Sequence, residues 1–175
     1  MKNLLRFLTL TLLLSITACT TNDDGDTSVG LEGTWLMTSF DVGEAYDLNG
    51  DGTANSDVIV ETGCYQNETL DFNVDGTGLS TNRSFVDIQV TIVTGTTDEV
   101  TYSVECIDEL FTQAFTWGQT GSTVLITIDG FFITASLDGD TLTFTIPAGF
   151  SIDIPDGNGG LITLDQNVTV VYTKQ

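Results

Sequence analysis

Asp-Gly stands at the end of alternating apolar and polar runs at Asp75-Gly76, Asp129-Gly130 and Asp138-Gly139. These residue types accept the positive φ of a two-residue type I′ turn, so each pair predicts an antiparallel hairpin. The flanking runs keep a period of two. Leu70, Phe72 and Val74 share one face, as do Ile88, Val90 and Ile92, and then Val100, Tyr102, Val104 and Cys106. Val124, Ile126 and Ile128 follow, then residues 131–136, then Leu142, Phe144 and Ile146. Val168, Val170 and Tyr172 close the chain. No comparable helical period competes, so the chain is predicted to be all-β, with eight to ten short strands. Two segments break the rhythm: residues 58–62 predict one helical turn, and the glycine-rich residues 155–160 a mobile loop. A meander of this kind must protect its edges or close on itself. An antiparallel up-and-down barrel is the economical solution, and an open sandwich the alternative.

The N-terminal segment is a different material. Lys2 and Arg6 precede an apolar stretch from Leu8 to Ile16 that is too short to span a bilayer. It ends in Ile16-Thr17-Ala18-Cys19, which resembles the lipobox of bacterial lipoproteins. The resemblance implies a signal peptide over residues 1–18, cleavage before Cys19, and acyl chains on that cysteine. At ~0.8 kcal/mol per buried methylene, such chains are a firm membrane anchor. An ordinary secretory signal that happens to carry a cysteine is the competing reading. Residues 19–30 are polar and acidic and predict a disordered tether. An acidic run at this place resembles the export signal of Bacteroidota-type surface lipoproteins, which implies an outer-membrane location at the cell surface. A plain solvated spacer is the alternative.

Removal of that signal takes Lys2 and Arg6 away. Arg83 and Lys174 then stand as the only two bases against 25 acids, a formal charge of −23. Such a surface repels phosphate backbones, which excludes nucleic acid as a partner. Residues 31–175 are long enough for one domain with its own core. Of three cysteines, Cys19 is assigned to lipid. Cys64 and Cys106 remain as a disulfide in an oxidising compartment, with two buried free thiols as the alternative. Two thiols and no histidine make a poor zinc site.

Leu31-Glu32-Gly33-Thr34-Trp35 places Gly-x-Trp at the first strand and resembles the first motif of the lipocalins. With "DLNGDG", "FNVDGTG", "LDGDTLTF" and a final "VVYTK" in that order, residues 31–175 resemble the lipocalin-like domain of lipid-anchored bacterial proteins. The resemblance implies a lipocalin-like β-barrel. The lipocalin Thr-Asp-Tyr motif is missing, as is the late arginine that lies over the tryptophan. Lys174 is the only late cation able to stand in its place. Without any family, Trp35 is expected to plug the closed end of a barrel, with Gly33 letting the chain enter beside it.

The chain contains no histidine, so Ser-His and Cys-His nucleophile pairs are excluded. Carboxylate pairs for glycan cleavage can meet only in space, and a non-catalytic protein is expected. A barrel of about eight strands leaves room for one small apolar ligand if its inward residues allow it. Phe72, Tyr102, Phe115, Trp117, Phe132 and Phe144 are the expected inward aromatics. The same set equally builds a filled core, which favours an adaptor that meets another envelope protein through its loops.

One loop points to a cofactor. Asp47-x-Asn49-x-Asp51-Gly52 matches the first half of an EF-hand, with the Thr53 carbonyl next. The twelfth position is Val58, so the pattern is not an EF-hand. A shorter loop for a structural calcium ion would use Asp47, Asn49, Asp51, Thr53 and Asp57, with Glu61 in reserve. The competing reading is a set of Asx-turns, in which the same side chains bond their own backbone.

Overall fold

The computed structural model describes residues 30–175. Cys19, the signal segment and most of the tether lie outside the described residues. Nine strands and one short helix follow in order: β1 (Gly33–Tyr46), β2 (Asn55–Asp57), α1 (Val58–Thr62), β3 (Thr69–Phe72), β4 (Thr77–Ile92), β5 (Val100–Thr120), β6 (Thr123–Ile128), β7 (Phe131–Asp138), β8 (Thr141–Pro155) and β9 (Leu161–Lys174). From β3 onward every strand pairs antiparallel with the next, β1 pairs with β3, and β9 returns to β1. The eight strands form a closed up-and-down barrel. The ninth, β2, lies on the upper part of β1, pairing Tyr46 with Asn55 and Asp41 with Asp57.

All three Asp-Gly pairs turn the chain between antiparallel strands, but only Asp129-Gly130 does so as type I′: at Asp75-Gly76 and Asp138-Gly139 the glycine alone takes a positive φ. Asp129 and Gly130 hold φ of 48° and 82°, the two positive values of a type I′ turn. Residues 156–160 are tied down: Asp156 Oδ1 accepts from Asn158 N and Gly160 N, and Asp156 N donates to Gly160 O. The helix predicted at residues 58–62 is α1, opened by Asp57, whose Oδ1 accepts from Ile59 N.

Trp35 closes one end of the barrel. It is 0 % exposed, its Nε1 donates to Leu31 O at 2.7 Å, and its ring meets Phe72 edge to face. Phe72 in turn packs edge-on against Phe115 and Trp117. Lys174 Nζ lies 5.7 Å from the centre of the Trp35 ring and donates to Gly30 O. The late cation therefore sits over the tryptophan as a cation–π partner. Gly78 is required at this end, because a Cβ there would overlap the Phe115 ring and Asp71 O.

Away from the plug the barrel becomes uneven. β5 pairs with β6 only over Thr116–Thr120, whereas it follows β4 from Thr77↔Thr116 up to Ile92↔Val100. The β7–β8 ladder runs only from Asp138↔Thr141 to Ala135↔Phe144, and β8 then continues with β9 alone. The β4–β5 and β8–β9 hairpins thus rise as two arms above the short β6–β7 hairpin. Their facing apolar residues, Val86, Ile88, Val90 and Val104 on one arm and Phe150 and Ile152 on the other, belong to the same core.

Two bulges re-aim side chains. In β5 the register shifts between Asn82↔Phe111 and Ser84↔Asp108, so two residues, Glu109 and Leu110, stand opposite Arg83. In β8 the shift lies between Ile146 and Phe150, at Pro147, which has no N–H to give to a ladder. Cys64 and Cys106 form a disulfide with a Cα–Cα distance of 5.4 Å, joining the loop after α1 to the β5 arm.

Candidate functional site

The barrel holds a cavity of about 560 Å³ that opens to solvent beside the exposed Phe85, Glu109 and Phe111. Its lining comes from all eight barrel strands, which is what a closed barrel with a space at its centre produces. That volume lies inside the range of roughly 300–1,000 Å³ typical of small-molecule pockets. Period two explains the lining. Alternate residues point inward on the strands, except just past the β4–β5 bulge, where both Ser84 and Phe85 reach the cavity, and above the Trp35 plug the inward side chains leave the axis unfilled.

The lining is divided. β6, β7 and β8 contribute Ile126, Ile128, Ile133, Phe144 and Ile146, and β1 contributes Met37 and Phe40. β4 and β5 contribute Ser80, Asn82 and Ser84 with Glu109 and Gln113. The β6–β8 wall is therefore apolar, while β4 and β5 mix hydroxyl, amide and carboxylate groups with the rings of Phe85, Phe111 and Phe115. Leu70, Val170, Tyr65 and Tyr172 complete the lining, with Tyr65 stacked on Phe40 at a ring-centroid distance of 4.9 Å. Burial pushes both tyrosine hydroxyls up from their ordinary value, and the charge of Glu68 adds to the rise in each; for Tyr65 a backbone hydrogen bond at Val86 acts in the opposite sense.

Glu68 is the residue that the sequence does not reveal. It is 0 % exposed, between α1 and β3. Its Oε1 accepts from Ser84 N and Ser84 Oγ, both at 3.0 Å, and its Oε2 accepts from Arg83 N. Its own carbonyl accepts from Met37 N. β3 pairs with β4 only as far as Thr69↔Thr81, so the Glu68 carboxylate satisfies the β4 amides that the short strand leaves behind.

Of the expected inward aromatics, Phe115 and Phe144 line the cavity, while Phe72 and Trp117 belong to the plug. Tyr102 is on the upper arm, edge-on to Tyr46. Phe132 is a correction: it is 72 % exposed on the outer surface. Ala135 and Leu137 are buried, which turns the odd positions of β7 inward and the even ones out.

The Asp47–Asp57 loop is built from its own side chains. Asp47 Oδ2 accepts from Gly52 N, Asn49 Oδ1 from Asp51 N, and Asp51 Oδ1 from Thr53 N. Asp47, Asn49, Asp51 and Thr53 are thereby drawn into one turn. The other two candidates are engaged in different bonds. Asp57 Oδ1 caps α1 and accepts from Phe40 N, and the buried Glu61 accepts from Leu48 N. Asp47 Oδ1 is buried without a hydrogen-bond partner. Among the described residues no three His, Cys, Asp or Glu side chains gather into a set able to hold a metal ion. An ion here would need Asn49 and backbone carbonyls beside the Asp47 and Asp51 carboxylates.

Comparison with protein-family models, with curated proteins and with solved structures found no match for this chain.

Proposed function

We propose that the protein is a lipid-anchored envelope lipoprotein that binds a small apolar ligand, without catalysis, inside its barrel. The observation that carries this reading is the cavity of about 560 Å³, lined by every barrel strand and apolar over its β6–β8 wall. The anchoring half of the proposal rests on Cys19 and the segment before it, the outer-membrane location on the acidic run that follows. The test of binding uses a neutral fluorophore, N-phenyl-1-naphthylamine, whose emission rises in apolar surroundings. The protein should enhance it saturably at one site, and Ile133→Trp, which puts an indole into the cavity, should weaken binding several-fold while the melting curve stays cooperative. Binding of unchanged affinity in Ile133→Trp overturns the reading. Cys19→Ser should release the protein from the membrane fraction and abolish acyl labelling; continued attachment refutes the anchor.

A second reading is favoured by a separate observation. Phe131 and Phe132 are 74 % and 72 % exposed side by side at the start of β7. Adjacent exposed aromatics of this kind suit contact with another envelope protein. Phe131→Ser with Phe132→Ser should then remove co-purification of that partner and leave fluorophore binding intact.

A further inference from the structure

The charges around the cavity are all of one sign. No lysine or arginine lines it, and the lining holds one ionisable carboxylate, Glu109, exposed and so at its opening. Behind the β4 serines lies a second carboxylate. Glu68 is bonded to Ser84, whose side chain lines the cavity, and to the backbone N–H of Arg83, whose side chain is exposed. Of the two bases among the described residues, Lys174 lies over Trp35 at the closed end, and Arg83, between Asn82 and Ser84 and opposite Glu109, is exposed and not part of the lining. The upward push of the Glu68 charge on Tyr65 and Tyr172 agrees with a negative potential reaching into the space. One carboxylate at the opening, one behind the wall and no cation in the lining leave an anionic head group without a counter-charge inside a site of reduced dielectric. The same arrangement attracts a cation, and the Asn82 and Gln113 amides and the Ser80 hydroxyl supply acceptors for its N–H groups.

Resting on the binding function proposed above, we infer that the cavity takes an amphiphile with a positively charged head, laid against Glu109 and the β4–β5 wall with its apolar tail on β6–β8, and that it rejects an anionic one. A fatty-acid-type carboxylate is thereby excluded as the ligand class.

The experiment is competition of three molecules of equal chain length against N-phenyl-1-naphthylamine at neutral pH, each below its micellar concentration. Dodecylamine is cationic, 1-dodecanol neutral and dodecanoate anionic. Dodecylamine should displace the fluorophore at a concentration about tenfold or more below that of dodecanoate, with dodecanol between, as expected for unit charges near carboxylates in a partly buried site. Glu109→Gln, a surface change, should narrow the gap several-fold. Dodecanoate displacing as well as dodecylamine overturns the inference and leaves the binding function standing. Failure of all three overturns both. A dodecylamine preference unchanged in Glu109→Gln assigns the selectivity to the general negative surface and also overturns the inference.

Discussion

Removing the Glu68 carboxylate should be among the most destabilising single changes in the barrel. Glu68→Ala takes away the acceptor of Arg83 N, Ser84 N and Ser84 Oγ together. Hydrogen bonds to a charged group contribute about 1.5–3 kcal/mol each, and a buried amide left unpaired loses most of that. Against this stands the relief of a desolvated charge, so the net loss is roughly 3–4 kcal/mol, in the range for breaking a buried charged contact. For a domain of this size that corresponds to a fall in Tm of about 10 °C. Glu68→Gln keeps one oxygen but turns an NH₂ toward a backbone N–H, donor against donor, and should lose about 2 kcal/mol. Urea unfolding followed by tryptophan fluorescence measures both, since Trp35 and Trp117 report the closure of the barrel. If Glu68→Ala lies within about 1 kcal/mol of the wild type, the carboxylate is not what holds β4 beside β3, and the reasoning fails.

Four further outcomes are expected. Reduction of Cys64–Cys106, whose sequence separation is 42 residues, should lower stability by roughly 4 kcal/mol on the chain-entropy account, and equal urea midpoints with and without reductant would refute it. All four tyrosines have hydroxyl pKa values raised by burial. The unfolded chain therefore releases those protons first as pH climbs, so stability is full below about pH 10 and falls above it. Absorbance near 295 nm should show tyrosinate appearing together with unfolding; gradual ionisation of the still-folded protein contradicts this. Because 25 acids outnumber four bases, added sodium chloride should raise Tm by screening, and a flat Tm between low and high salt would count against self-repulsion. At the Asp47–Asp57 loop, millimolar calcium should raise Tm by mass action and Asp47→Asn should erase the rise; magnesium acting equally well would leave the loop as Asx-turns alone.

The barrel was legible because its signals are local. Alternation and Asp-Gly turns act over a few residues, and strand order followed from hairpins that leave little other choice. The disulfide was legible because only two cysteines remain once Cys19 is set aside. What could not be read depends on register. "FFITASL" is apolar at both parities where it begins, so only the burial of Ala135 and Leu137 decides that Phe132 faces out. The β5 bulge changes which residues point inward, and a bulge is a property of the pairing that neither strand declares alone. Glu68 is one of 25 acids in a polar stretch, and its burial follows from the shortness of β3. An open or filled interior depends on the summed volume of inward side chains from eight strands, which no single run of sequence contains.

The short β7–β8 ladder makes the barrel mechanically lopsided. On the opposite side, Glu68 ties the start of β3 to β4, and the disulfide ties the α1 loop to β5. Between β7 and β8 the pairs from Asp138↔Thr141 to Ala135↔Phe144 act with no cross-link beside them. Above them a groove on the outer surface reaches Ile133, Phe144 and Ile146, the same three side chains that line the inner cavity. Those side chains therefore border both spaces at that seam. Local opening should be concentrated there, read as faster amide exchange in the upper half of β7 than at the Trp35 end.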